Sequence, residues 1–106
     1  MTASFHPSRY EGKPLLRLLE CYALWAIGEL SERESLAMER LTPNLQKLYR
    51  ATGTWQEVLA QVMDLPPTMP GMIRDLWTKN TSIAKANNLN LSPQQFAEMF
   101  VDANLA

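Results

Sequence analysis

Residues 15–30, LLRLLECYALWAIGEL, form the densest apolar run in the chain. At 100° per residue, Trp25, Leu18, Tyr22, Leu15, Ala26, Leu19, Leu30, Ala23, Leu16 and Ile27 fill an arc of about 200° broken only by Glu29, whereas a helix lying on a single core needs a stripe of roughly 100°. The run therefore reads as the central helix of the fold, covered on two sides. Pro14 suits its first position, where a missing N–H leaves nothing unsatisfied. Gly28 marks either a close backbone approach or the end of the helix. Arg17, Glu20, Cys21, Leu24 and Gly28 make up the narrower remaining face, with Arg17 and Glu20 as an i,i+3 pair. If a second subunit covers part of the arc, Leu18, Tyr22 and Trp25 are the expected anchors, because large apolar and aromatic side chains dominate interface energies.

The helical period then recurs in shorter stretches. Ser31, three residues before Glu34, opens a second helix. Its apolar positions are Leu36, Ala37, Met38 and Leu41; at Thr42-Pro43 either Pro43 kinks one long helix or, the favoured reading, Thr42 caps and Pro43 starts another, through Leu45, Leu48 and Tyr49, stopping at Gly53. Thr54 and Glu57 repeat the capping spacing ahead of Trp55, Val58, Leu59 and Val62. Pro66, Pro67 and Pro70 make a rigid corner. Met72, Ile73, Leu76, Trp77, Ile83 and Ala84 define the apolar face of the next helix, which Asn87 or Asn88 closes in a left-handed conformation. In LSPQQF, Ser92 is the cap, Pro93 the first helical residue and Gln95 the reciprocal partner. Phe96, Met99, Phe100 and Ala103 then supply the last buried face.

No stretch sustains a period of two, and no internal repeat is found. The expected fold is all-α: a compact bundle or orthogonal array of five to six short helices around a central hydrophobic helix. Residues 1–13 lack a period and contain only isolated Phe5 and Tyr10, so they read as a flexible N-terminal arm before a single helical domain, 14–106.

Composition adds bounds. With 46% hydrophobic and 20% charged residues in 106, the chain is globular. Ten Lys and Arg against eleven Asp and Glu leave a net charge of −1, which gives no general pull on phosphate or anionic lipid. The single cysteine, Cys21, excludes an internal disulfide and points to a reducing, cytoplasmic location. At 1.5 Å per residue the apolar run is ~24 Å long, short of a ~30 Å hydrocarbon core, and it carries Arg17 and Glu20. Neither a membrane span nor an export signal is expected.

Candidate chemistry is sparse. His6 is the only histidine, and one His with one Cys builds neither a triad nor a zinc site. No catalytic set, metal or cofactor is expected, and the carboxylates are expected on exposed helix faces. Residues 83–100, IAKANNLNLSPQQFAEMF, read as helix, Asn-rich turn and helix, and resemble in outline the helix-turn-helix of bacterial DNA-binding proteins. That resemblance implies a small DNA-binding regulator, with Gln94 and Gln95 able to address adenine edges. The same helix carries Glu98 and Asp102 but no Lys or Arg, so nucleic acid is not the expected partner. Met63, Met69 and Met72 bracket the proline corner and, with the tryptophans, suggest a third reading, a ligand-binding groove of adaptable apolar side chains. The preferred expectation is a noncatalytic helical protein–protein interaction domain, a homodimeric cytoplasmic adaptor or regulator.

Overall fold

The structure, a computed structural model, describes residues 9–104. Five helices follow one another: α1 Pro14–Ala26, α2 Glu32–Tyr49, α3 Trp55–Met63, α4 Met69–Ala86 and α5 Pro93–Ala103. Helix α1 packs against α3, α4 and α5, while α2 lies on α3. The fold is a small all-helical bundle, with no strand among the described residues.

Helix α1 is more deeply enclosed than its apolar arc requires. All of residues 18–24 are buried, so Glu20, Cys21 and Leu24, on the narrow face, are covered as well. It ends sooner than the apolar run. Gly28, at φ 76°, turns the chain so that the Glu29 amide donates to the Leu24 carbonyl at 2.8 Å and the Gly28 amide to the Trp25 carbonyl at 3.0 Å. This closure stops the helix at Ala26 and leaves Ile27 and Leu30 to pack on the core from the turn.

Three helix starts form as their sequences dictate. Ser31 accepts the Glu34 amide, and both Thr54 with Glu57 and Ser92 with Gln95 complete reciprocal caps. Asn88 takes the left-handed conformation, and the Leu89 amide reaches back to the Ala84 carbonyl. The break expected at Thr42-Pro43 does not occur. Helix α2 runs through Pro43, whose ring lies on the exposed side, where water can hydrate the backbone carbonyl left unpaired. The Thr42 hydroxyl bonds the Met38 carbonyl at 2.9 Å within the same stretch. The helix stops at Arg50 in the left-handed region, φ 53°, rather than at Gly53.

The N-terminal boundary also shifts. Tyr10 is buried, and its hydroxyl donates to Asp102 Oδ1 at 2.9 Å and sits 3.2 Å from the Glu98 carbonyl. Residues 9–13 are thus tied to α5 and are not a free arm; Phe5 and His6 lie outside the described residues.

Two apolar faces differ from expectation. On α4 only Ile73 is buried; Trp77 and Ala84 are half-buried, and Met72, Leu76 and Ile83 face water. On α5 the buried set is Phe96, Ala97, Phe100 and Val101, with Met99 and Ala103 exposed. Once α1 has satisfied its neighbours on every side, little core remains for the outer edges of the stripes around it.

Candidate interaction surface

The polar centre of the molecule is a chain of bonds built on α1. Glu20 has no solvent exposure; its Oε1 accepts from Arg17 Nη1 at 2.6 Å and its Oε2 from Gln94 Nε2 on α5 at 2.5 Å. The second arm of Arg17 donates to Glu34 Oε2 on α2 at 2.6 Å. One forked guanidinium therefore joins α1 to α2, and one carboxylate joins α1 to α5, a use suited to the rigid planar geometry of Arg. The expectation that carboxylates sit on exposed faces fails at Glu20, because burial extends round all of α1. Only the Arg17–Glu20 spacing pointed toward this pair; Gln94 comes from 74 residues away in sequence.

These groups hold structure. Burial pushes the Cys21 thiol up to about 12, only partly offset by Arg17, so it is neutral and a poor nucleophile at ordinary pH. Burial, then the hydrogen bond and charge of Asp102, push Tyr10 up to about 12. Burial raises Tyr22 as well. Among the described residues no group of three or more His, Cys, Asp or Glu could hold a metal ion, and no helix is long and apolar enough to cross a membrane.

The three residues expected to anchor a second subunit separate. Leu18 and Tyr22 are each 3% exposed, inside the chain's own core, and no partner can reach them without opening it. Trp25 is 39% exposed and leans on Tyr22 and Trp55, with ring centroids 5.5 and 6.3 Å away. Of the methionines at the proline corner, Met63 and Met69 are half-buried against the core and Met72 is exposed. A groove of about 490 Å³ forms elsewhere, at the α4–α5 turn, lined by apolar Ala84, Leu89, Leu91 and Met99 and by charged Arg9, Glu98 and Asp102 among others. Gln94, a candidate base-reading residue, is half-buried and occupied by Glu20 and Glu98.

What faces water is patterned. On α4, Met72, Leu76 and Ile83 lie within about 40° of one another round the helix. On α2, Leu41 and Leu48 lie beside Ala37 in an exposed stripe next to the buried line of Met38 and Leu45, and Leu48 is 66% exposed. Beyond that stripe, at seven-residue intervals, run Arg33, Arg40 and Lys47, all exposed. The interval was present in the sequence, but its meaning depends on which edge of α2 meets α3. The class defined by fold and surface is a small helical bundle with apolar stripes left in water. Comparison with protein-family models, with curated protein sequences and with solved structures gives no match.

Proposed function

We propose that the chain is a noncatalytic helical interaction module, an adaptor or regulator that docks other protein surfaces on α2 and α4. One observation carries this reading: Leu41 and Leu48 on α2, and Met72, Leu76 and Ile83 on α4, stay exposed in helical register beside buried residues of the same helices. Exposed apolar side chains aligned on one face of a helix are the kind of surface that partner sites use. Full engagement of the buried carboxylate of Glu20 and the raised pKa of Cys21 favour a structural role for the two most enclosed reactive groups. A single buried thiol suits a reducing, cytoplasmic setting. Self-association belongs to the same reading, but through the α4 stripe, since Leu18 and Tyr22 are interior.

The test is site-specific photo-crosslinking in the producing cell, with the reactive group placed at Leu41 or Leu76 and, as control, at Glu39 on the far side of α2. A discrete protein adduct from 41 or 76 that is missing from 39 is the expected result. Adducts that are diffuse, or identical at all three positions, overturn the proposal.

A further inference from the structure

We infer that the outward seam of α2 takes an acidic amphipathic helix from a different protein. The inference rests on the interaction-module reading and adds the chemistry of the partner.

Ala37, Leu41, Asn44 and Leu48 are separated by four, three and four residues, and all four are exposed. This alternation is the a and d spacing of a two-stranded coiled coil, and it places a second helix alongside α2 over about 17 Å. Arg33, Arg40 and Lys47 then occupy successive g positions, the flank whose charges select a partner. None of the three side chains makes an ion pair or hydrogen bond among the described residues. The opposite flank, at the e positions, is Met38 and Leu45, both buried. The exposed flank is therefore entirely cationic, and an incoming helix meets it with Glu or Asp.

The same geometry disfavours a second copy. In an antiparallel pair of α2 helices, g faces g, so the cationic rows oppose each other. In a parallel pair, g faces e, which here is inside the core. Glu39 projects away from the seam, and the Glu34 carboxylate is held by Arg17, so α2 supplies no acid that would repair either arrangement. Asn44 in the middle of the seam argues against a lipid surface, because its amide asks for a hydrogen-bonding partner that acyl chains lack. A seam of two heptads supports micromolar rather than nanomolar binding, as small interfaces do.

The probe is a labelled synthetic helix of three heptads with Leu at a and d, one Asn opposite Asn44 and Glu on both flanks, beside a twin carrying Lys in place of Glu. Each is titrated into the full chain by fluorescence anisotropy. The Glu peptide should bind about tenfold more tightly than the Lys twin at low salt, and the gap should narrow as salt is added. Arg33→Glu/Arg40→Glu/Lys47→Glu should reverse the order with an unchanged melting curve, and Leu48→Glu should weaken both peptides. Equal binding of the twins, absence of binding, or an order untouched by the triple variant overturns the inference, as does capture by phosphatidylserine vesicles in place of the Glu peptide. If position 41 crosslinks to a discrete protein while the Glu peptide fails, the interaction reading stands and this inference falls; if it crosslinks only to a second copy, the result is the same.

Discussion

Replacing Arg17 with Met keeps the aliphatic stem and removes the guanidinium that serves two carboxylates at 2.6 Å. The two are not equivalent. Glu34 is about one-third exposed and can turn to water, while the Glu20 side chain has no exposure and would be left in the core without its cation. Removing one partner of a buried pair costs about 3–5 kcal/mol, whereas exposed pairs contribute about 0–1. Domains of this size are stable by roughly 5–15 kcal/mol, so the loss takes a large fraction of the total and lowers the melting temperature by on the order of 15 °C. Arg17→Lys should fall between wild type and Arg17→Met, because one ammonium cannot fork to both acids. Glu34→Gln should cost no more than about 1 kcal/mol. Urea unfolding followed by circular dichroism measures all three. The companion variant Arg17→Met/Glu20→Met deletes the charge together with its partner and should recover much of the loss, since apolar replacement of a whole buried pair is often neutral. A cost below about 1 kcal/mol for Arg17→Met, or a double variant no more stable than Arg17→Met, would refute the account of Glu20 as a buried carboxylate held by Arg17.

Four further outcomes follow from the packing. Pro43→Ala should stabilise the fold by about 1–2 kcal/mol, because a continuous α2 regains a backbone bond; a loss in chemical denaturation would mean that the helix restarts there. Gly53→Ala should cost about 1–2 kcal/mol by the same measurement, since φ is 97° and an added Cβ would meet Glu57 Oε1 at 2.5 Å, disturbing the cap on α3; an unchanged midpoint would contradict the loop geometry. Trp25→Glu should lower the melting temperature through lost contact with Tyr22 and Trp55 while light scattering reports the mass of the wild type, and a folded species of half that mass would return Trp25 to an interface. Tyr10 and Cys21 both have pKa values raised from their ordinary 10.0 and 9.0 to about 12, so the folded state prefers them protonated; stability should be intact below pH 9 and fall as pH climbs through about 12. Tyrosinate absorbance against circular dichroism checks this, and Tyr10 ionising near 10 with the fold intact would count against its burial.

The caps were legible because each is a local device: Ser92, Pro93 and Gln95 specify a helix start wherever the helix goes, and Thr54 with Glu57 does the same. The identity of α1 as the centre was legible from the width of its arc. What could not be read locally is how much of each stripe its neighbours cover. Met72, Ile73, Leu76 and Trp77 have the same period, yet only Ile73 is buried, because α4 meets α1 along one edge of the stripe. Pro43 was misleading for a related reason: its cost depends on whether the freed carbonyl faces water, a property of the assembled fold. Glu20 illustrates the converse, a carboxylate that looks like surface until α5 delivers Gln94 to it.

The interaction surface follows from the same competition for burial. A helix enclosed on every side, as α1 is over residues 18–24, contributes the most to the core and leaves nothing to display. Its neighbours then touch it by their edges. Helix α2 is held by Met38 and Leu45 against the body and by Glu34 through Arg17, and its next stripe round is in water with a cationic row beyond it. Stability and docking are thus assigned to different faces of one helix: changes at Leu41, Leu48 or the cationic row should alter binding with little effect on folding, while changes at Met38 or Leu45 should do the reverse. Arg17 is where the two meet. Because it grips Glu20 in the core with one arm and Glu34 on α2 with the other, loosening it should both weaken the fold and free α2 to shift, and a partner seated on α2 should return some of that loss in proportion to its own affinity.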